Sequence, residues 1–278
     1  MKSYPEPTGS REEIPLPGGD VTEGVVRVGQ TVRRPTGPHT PLVHAVLDHL
    51  ESVGFAGAPR FLGVDDQGRE VLTFIEGEVA GRPHPKWITD EDRLVSLAHL
   101  VRDLDDAMID FGLPEIAAEE IVEPKFIPPP REATYEFFGH RDITPENVVW
   151  RNGEAYAFID FDLVRPASRM LEVQNALMYW APLCDPQDRD PHQVDLDVAR
   201  RCRLFADAYG LGPEDRAVLI DDLTYNSARS WYLMRDRAER LGGGWARMWD
   251  NGVGDLIRRR CAWLQVNGAR ITEALLES

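Results

Sequence analysis

The sequence predicts a two-lobed α+β fold, in which a small β-rich N-terminal lobe precedes a larger and mainly helical lobe. Short alternating apolar segments dominate residues 24–75, whereas apolar repeats with helical spacing dominate the chain after about residue 90. The chain has 278 residues, of which 42% are hydrophobic, and is long enough to bury a substantial core. We therefore expect an irregular segment over 1–19, a small lobe over 20–77 and a larger lobe over 78–278, with a cleft between the lobes.

The small lobe is predicted to contain two pairs of strands around one helix. The strands are expected over 24–28, 31–34, 60–64 and 70–75. The first pair flanks a Gly29-Gln30 turn, and Pro35 ends its second strand because proline removes a ladder hydrogen bond. Apolar residues at helical spacing predict a helix over 41–53, which ends at Gly54.

The larger lobe is predicted from helical periodicity and one pair of strands. Helices are expected over 90–111, 170–183, 194–209, 214–240 and 245–276. Thr89 and Asp92 have the spacing of a capping box at the start of the first of these helices. Two short apolar strands are expected over 147–150 and 155–161.

Charge and cysteine content exclude several classes of partner. The formal net charge of −16 repels nucleic acids and anionic lipid surfaces, so we expect neither as a partner. Three scattered cysteines are too few for a disulfide framework or a cysteine zinc site. Without a long apolar run or an apolar leader near the first residue, the sequence predicts a cytoplasmic location. No sequence feature indicates an obligate protein partner.

Two neighbouring segments contain the residues best suited to chemistry. Gly139-His-Arg-Asp-Ile-Thr-Pro-Glu-Asn147 contains Asp142 and Asn147, and Phe158-Ile-Asp-Phe-Asp162 adds Asp160 after a short strand. Hard cations such as Mg²⁺ bind oxygen ligands, typically one or two carboxylates together with substrate phosphates. Asn147 and Asp160 can supply such oxygens, while Asp142 remains to orient or deprotonate an attacking hydroxyl. Kinase-type phosphoryl transfer requires this combination.

These segments resemble the catalytic core of the aminoglycoside phosphotransferase (APH) family, the small-molecule branch of the protein-kinase-like fold. The H-x-D-x-x-x-x-N loop of the family matches His140, Asp142 and Asn147, and its I-D-F motif matches residues 159–161. The resemblance implies that Asp142 is the catalytic base, that His140 braces the loop and that Asn147 and Asp160 hold Mg²⁺. Asp162 is a further candidate metal ligand, with turn capping as the alternative. ATP and Mg²⁺ are the implied cofactors.

The sequence departs from the family at the phosphate-binding strand. No lysine lies between Lys2 and Lys86, so the usual strand lysine is absent, and residues 31–34 offer arginine instead. Alignment favours Arg33 as the phosphate contact, with Arg34 as the alternative. His44 stands where the family usually has a glutamate and is expected to be structural or exposed.

By the same resemblance, the segment Phe74-Ile75-Glu76 is the hinge whose backbone meets adenine. Gly18-Gly19 is a candidate loop over the phosphates. Glu172 is expected to support the catalytic loop.

We expect the acceptor to be a small hydroxylated molecule, and a cationic one by analogy with aminoglycosides. The acidic residues considered for holding it are Asp185, Asp188, Asp190, Asp195, Asp221 and Asp222. A protein kinase is disfavoured because no D-F-G or A-P-E motif follows Asp160 and no activation segment fits before residue 170. Two alternatives stay open: a metabolic kinase of choline, an amino sugar or a sugar, and a non-catalytic immunity protein that binds a nucleotide or ligand.

Overall fold

The computed structural model describes residues 4, 12–16, 24–115, 126–131 and 134–277. The small lobe has a five-stranded antiparallel sheet with the strand order β1-β2-β3-β5-β4. Its strands are β1 (Ile14–Pro15), β2 (Val26–Val28), β3 (Thr31–Pro35), β4 (Phe61–Val64) and β5 (Arg69–Thr73). Helix α1 (Thr40–Ser52) lies between β3 and β4 and buries its apolar face, as the periodicity predicts.

The predicted elements of the small lobe are confirmed to within two residues at each end. Strand β1 was not predicted, because it lies in the segment expected to be irregular. It is held by pairing with β2, in which Ile14 lies opposite Arg27. Two residues have too little local pattern to indicate a strand without knowledge of the strand they pair with.

The larger lobe combines short strands with six helices in the described part of the chain. The strands are β6 (Glu78–Val79), β7 (Phe137–Gly139), β8 (Val148–Arg151), β9 (Glu154–Phe158) and β10 (Arg165–Ala167). The helices are α2 (Glu91–Ile109), α3 (Arg169–Trp180), α4 (Val198–Tyr209), α5 (Pro213–Leu241), α6 (Gly243–Asp250) and α7 (Val253–Leu276). Strands β6, β8 and β9 form one sheet, and β7 pairs with β10 in a second.

Three helix predictions in this lobe are corrected. The Thr89–Asp92 capping box is absent: Thr89 Oγ1 donates to the Lys86 carbonyl at 2.9 Å, because residues 86–89 form a separate 3₁₀ turn. Helix α4 begins at Val198 rather than near 194, since Pro186 and Pro191 each start a 3₁₀ turn upstream. The helix predicted over 245–276 is two helices, interrupted where Gly252 adopts φ +89°.

The fold brings the two chemical segments together and leaves a hinge between the lobes. Strand β7 leads into the loop that starts at His140, and β10 pairs with β7 after the loop that contains Asp160. The small sheet ends at Thr73, while β6 already pairs with β8 of the larger lobe. A continuous apolar core runs from α1 through α2 to α7. Within the described residues, no helix has the length and apolar character needed to cross a membrane.

Candidate active site

His140 connects the two loops of the site. Its side chain is buried, Nε2 donates to the Ile159 carbonyl at 3.0 Å, and Nδ1 accepts the Asp142 amide hydrogen at 3.2 Å. A histidine that accepts through Nδ1 carries its proton on Nε2 and is neutral. Burial also lowers the pKa of His140 to about 4. The ring thus fixes the backbone of Asp142 against the residue before Asp160, which is the bracing geometry that the resemblance implies.

Glu172 holds the same loop from the side of helix α3. Its carboxylate is fully buried and accepts hydrogen bonds from the backbone amides of His140 at 2.9 Å and Arg141 at 3.1 Å. Burial raises the pKa of Glu172, and the nearby Arg141 guanidinium opposes that rise. A Cβ on Gly139 would lie 2.7 Å from this carboxylate, so glycine is required there. This is the supporting position expected for Glu172.

Two further supports of the loop were not predicted. Asn175 Oδ1 accepts from the Ile143 amide at 2.6 Å, and Trp180 Nε1 donates to the Ile143 carbonyl at 2.9 Å. Asn175 follows Glu172 by three residues, so both side chains lie on one face of α3. The three-residue spacing of Glu172 and Asn175 was the sequence signal that could have indicated a second support on this face.

Asp142 and Asn147 form a direct pair in the loop. Asn147 Nδ2 donates to Asp142 Oδ2 at 2.8 Å and to the Asp142 carbonyl at 3.0 Å. Burial raises the pKa of Asp142 to about 7, and the negative charge of Asp160 contributes to that rise. A carboxyl group with this pKa can take up a proton near neutral pH. Because Asn147 donates through its nitrogen, its amide oxygen is the atom left to ligate a cation.

Asp160 and Asp162 complete a set of oxygen donors next to this pair. Asp160 has φ +62°, which turns the chain out of β9 and toward the cleft. Burial and the charge of Asp162 raise the pKa of Asp160, whereas Arg34 opposes the rise. Carboxylate and amide oxygens fit a hard cation such as Mg²⁺. Among the described residues no group of three acidic, histidine or cysteine side chains could hold a metal alone, so substrate oxygens would have to complete the coordination.

Arg33 and Arg34, the two candidates for the phosphate contact, lie in different surroundings. The Arg34 guanidinium crosses the cleft to Asp160 at 3.2 Å and also contacts Asp162. Arg33 lies on the opposite face of β3, where it donates to Thr31 Oγ1 at 2.5 Å and lies 3.6 Å from Asp65. Neighbouring residues of a strand face opposite ways, so only one of the two arginines can reach the cleft. Arg34, the alternative of the sequence analysis, is therefore the arginine that lies next to Asp160.

Glu70 is a site residue that the sequence analysis missed. It lies opposite Arg34 in the β3–β5 register, and its Oε1 is 3.1 Å from Arg34 Nε. His44 Nε2 lies 2.8 Å from the other oxygen of this buried carboxylate, and the His44 ring stacks on Phe61. The glutamate beside Arg34 therefore comes from a strand, and the helix supplies a buried histidine on its other side. Of the two expectations for His44, structural or exposed, the structure shows the first, because the side chain is buried against Glu70.

The predicted hinge residues connect the lobes. The Phe74 amide donates to the Gln30 carbonyl at 2.9 Å, and Arg151 Nε donates to the Glu76 carbonyl at 2.8 Å. The Glu76 side chain points to Arg27 at 3.5 Å. Any purine contact must therefore use other backbone groups of residues 74–76, Ile75 included. Gly18-Gly19 lies outside the described residues.

Most of the acidic residues considered for a cationic acceptor already have partners. Arg259 binds Asp188 through two hydrogen bonds of 2.8 and 2.5 Å, and Arg131 contacts both Asp221 and Asp222. The His84 amide donates to Asp190, and Asp185 caps the 3₁₀ turn that follows it. The arginines beside Asp188, Asp221 and Asp222 reduce the attraction of these three carboxylates for a cationic ligand.

Comparison with known proteins identifies the family. Residues 99–209 match the family described as "Phosphotransferase enzyme family" (APH). The trifolitoxin immunity protein of Rhizobium leguminosarum bv. trifolii is 35% identical over 224 residues, which cover 76% of this chain and 79% of that protein.

Solved structures show the same fold at low identity. A choline/ethanolamine kinase family protein from Mesorhizobium loti is 17% identical, with a TM-score of 0.52 over 98% of this chain and 89% of that chain. The GDP complex of aminoglycoside 2′-phosphotransferase-IIIa is 14% identical, with a TM-score of 0.56 over 95% and 94%. The two-lobed protein-kinase-like fold is thereby confirmed. The chain belongs to the APH phosphotransferase enzyme family, whose members are small-molecule phosphotransferases with an alcohol group as acceptor.

Proposed function

We propose that this chain transfers the γ-phosphoryl group of ATP to a hydroxyl of a small molecule in a Mg²⁺-dependent reaction. One observation carries the proposal: Arg34 of the small lobe reaches Asp160 and Asp162 next to the hydrogen-bonded pair Asp142–Asn147. A phosphate-binding cation, metal-type oxygen ligands and a carboxyl group with a pKa of about 7 thus meet in one cleft. Phosphoryl transfer requires these three components together.

Asp142 is the proposed catalytic base. Its carboxylate accepts the proton of the acceptor hydroxyl while that oxygen forms a bond to the γ-phosphorus and the bond to the leaving ADP oxygen breaks. Asn147 orients the carboxylate through its 2.8 Å hydrogen bond, and His140 fixes the backbone of Asp142 by accepting its amide hydrogen. Positioning supplies most of the catalysis in this scheme, because little covalent chemistry is left to the protein.

The nucleotide is proposed to lie between the hinge and Arg34. Backbone groups of residues 74–76 contact the base, and the Arg34 guanidinium binds the phosphates with two donors. Asn147 and Asp160, with Asp162 beside them, would hold Mg²⁺, which neutralises the charge that develops on the phosphate oxygens. Nucleotide use is supported by the fold, since a similar enzyme was solved with GDP.

The biological role is proposed from the name of the trifolitoxin immunity protein. Because that protein is named for immunity to trifolitoxin, we propose that this chain protects its cell by phosphorylating an antibiotic-like molecule in the cytoplasm. A metabolic acceptor such as choline is the alternative, since the fold is shared with choline/ethanolamine kinases. A cationic acceptor, which the aminoglycoside analogy suggests, belongs to the same test.

The test is ADP release with Mg-ATP over a panel of aminoglycosides, peptide antibiotics, choline and amino sugars, with mass detection of each phosphorylated product. Asp142→Asn should lower turnover about a thousandfold, the usual contribution of a positioned base, and leave the affinity for ATP unchanged. The matched control is Asp215→Asn, an exposed carboxylate on α5. If Asp142→Asn turned over at the wild-type rate, the assigned role would be wrong.

A non-catalytic immunity protein is the second candidate, favoured by the name of the same relative. It binds nucleotide or toxin without transfer, so protection of cells would be the same with Asp142→Asn as with the wild type. Loss of protection together with loss of turnover supports the enzyme. Protection that persists in the variant supports sequestration.

A further inference from the structure

A cavity of about 290 Å³ lies beside the hinge, next to the edge strand β4 of the small sheet. Its walls come from the loop between α1 and β4, from the hinge, and from the β8–β9 hairpin. Among the described residues none of β1, β2 or β3 lines it, and β5 separates β3, which contains Arg34, from β4. The Phe74 amide donates to the Gln30 carbonyl of the β2–β3 turn, whereas the Thr73 amide donates to the Arg60 carbonyl at 3.0 Å on the cavity side. The cavity thus adjoins the edge of the hinge that faces away from the β2–β3 turn.

Two arginines, one from each lobe, line this cavity. Arg60 precedes β4, and its Nη2 donates to the Phe55 carbonyl at 2.7 Å, while its Nη1 is buried and makes no hydrogen bond. Arg151 ends β8, its Nε donates to the Glu76 carbonyl at 2.8 Å, and its guanidinium carbon lies 3.5 Å from the centre of the Tyr156 ring. In the described part of the chain, neither arginine forms an ion pair with a carboxylate. Since a guanidinium has five N–H donors, both keep donors for a further acceptor.

The glutamates near Arg151 do not form ion pairs with it. Glu154 lies opposite Arg151 in the β8–β9 register, but its side chain is exposed. The Glu76 carboxylate lies 3.5 Å from Arg27, and Glu76 does not line the cavity. An anion that enters the cavity therefore meets two cations that no carboxylate already occupies.

The other lining residues suit a phosphate group attached to a small apolar body. Thr73 Oγ1 accepts from the Arg60 amide at 2.9 Å, so its own hydrogen is left to donate. A buried donor such as Arg60 Nη1 costs free energy until it finds an acceptor. Guanidinium groups bind phosphate through paired hydrogen bonds, and a phosphate dianion balances two positive charges. The apolar part of the lining consists of Ala56, Ala58, Phe74 and Ile75.

We propose that this cavity is a second binding site, separate from the phosphotransfer cleft, for a small phosphate monoester held by Arg60 and Arg151. Its volume is that of a site for a small molecule. Arg60 belongs to the small lobe and Arg151 to the larger one, so the bound phosphate connects the two lobes beside the hinge. The inference goes beyond the proposed function and does not depend on it.

The experiment compares two probes that share a ring: phenyl phosphate, which has a phosphate group, and phenol, which has none. Titration calorimetry measures their binding to the full chain, with and without saturating Mg²⁺ and a non-hydrolysable ATP analogue, which fills the phosphotransfer cleft. In both conditions we expect one phenyl phosphate per chain, bound at least about tenfold more tightly than phenol, the usual worth of charge-assisted hydrogen bonds. Benzoate, with a single charge, should bind more weakly than phenyl phosphate.

Variants of the lining test where the probe binds. Arg151→Gln and Arg60→Gln should each weaken phenyl phosphate at least about tenfold, and Arg151→Lys should retain part of the affinity. Ala56→Leu narrows the cavity without a change of charge and should also weaken the probe. Arg200→Gln, at an exposed arginine of α4 that pairs with Glu91, is the matched control and should bind like the wild type.

Three results would overturn the inference. The first is the absence of phenyl phosphate binding, or its loss when the ATP analogue is present, which would place the probe in the phosphotransfer cleft. The second is binding that neither Arg151→Gln nor Arg60→Gln weakens. The third is tighter binding of benzoate, which would contradict the assignment to phosphate.

Failure of this inference and failure of the proposed function can be distinguished, because the affinity for the ATP analogue is measured in the same samples. A chain that binds no nucleotide contradicts the proposed function, while the comparison of wild type with Arg151→Gln still decides the second site. A chain that binds nucleotide but no phenyl phosphate contradicts only the second site. Arg151 is exposed, so Arg151→Gln should fold even if Arg60→Gln, which loses the hydrogen bond to Phe55, does not.

Discussion

Arg34, on the small-lobe side of the cleft, contacts three carboxylates, whereas Arg165, on the helical side, contacts none in the described part of the chain. The first arrangement neutralises a set of metal-type ligands while keeping them in place. If a metal ion bound to a phosphate took the place of Arg34 at Asp160 and Asp162, neither carboxylate would be left without a counter-charge. Arg165 instead interacts with the charges of Glu172 and Asp142 without a direct ion pair. The two sides of one cleft thus hold their arginines differently, by direct ion pairs on the small lobe and by attraction over a longer distance on the helical lobe.

The largest effect is expected on the small-lobe side from Asp160→Ala. Loss of this carboxylate should weaken binding of Mg-ADP about a hundredfold, because one of the proposed metal ligands is removed. Binding of ADP in EDTA should change little, since that complex has no metal to hold. Equilibrium titration of both complexes measures the difference, with Asp215→Asn as the control. Equal affinities of wild type and variant for Mg-ADP would show that Asp160 is not a ligand.

Arg34→Met, compared with Arg33→Met, tests which arginine serves the cleft. Removal of Arg34 should weaken ADP binding about thirtyfold, the worth of a bidentate charge-assisted contact. The same change should strengthen binding of Mg²⁺ alone, because Asp160 and Asp162 lose their competing cation. Arg33→Met, on the other face of β3, should leave both affinities near the wild type. Loss of nucleotide affinity in Arg33→Met alone would reverse the assignment.

His140, between the two sides, should make the stability of the chain dependent on pH. Its pKa is about 4 in the folded chain and 6.5 as an unperturbed group, so protonation favours the unfolded state. The contribution of the neutral ring is complete above pH 6.5 and is lost as the pH falls toward 4. From pH 7 to pH 5 the free energy of unfolding should fall by about 2 kcal/mol more in the wild type than in His140→Asn.

Urea unfolding at the two pH values measures this difference. Other titrating groups are present in both proteins, so Asn at this position should remove only the part of the pH dependence that comes from His140. A wild type and a variant with the same pH dependence would show that His140 is not buried in its neutral form.

Glu70→Gln should have the smallest effect of this series. The amide keeps a hydrogen-bonding group beside His44 but removes the charge that orients Arg34. ADP binding should weaken about fivefold, equivalent to about 1 kcal/mol. The control is Glu154→Gln, an exposed glutamate of β9. No change in Glu70→Gln would show that Asp160 and Asp162 suffice to orient Arg34.

Much of the fold could be predicted because periodicity is a local property. The apolar spacing of α1 and the alternation in β3 and β5 fix those elements to within two residues. The break at Gly252 and the strands β7 and β10 escaped prediction. A glycine between two helical patterns does not reveal its φ, and three-residue strands are stabilised by partners that are distant in sequence.

The sequence by itself determined which side chains the loop from His140 to Asn147 contains. Asp142, Asn147 and Asp160 lie within one short segment of the sequence. The β-hairpin between Asn147 and Asp160 is enough to bring the three residues together. His140 and Glu172 could be placed on the same grounds, because each lies next to a motif that defines its position.

Only the tertiary structure decided which charges meet. Which of Arg33 and Arg34 faces the cleft depends on which face of β3 is covered. Glu70, which follows Arg34 by 36 positions, lies beside it because β3 pairs with β5. Three of the acids expected to attract a cation, Asp188, Asp221 and Asp222, are paired with arginines that are distant in sequence. Net charge is a property of composition, whereas the charge that a ligand meets depends on pairing, which is set by packing.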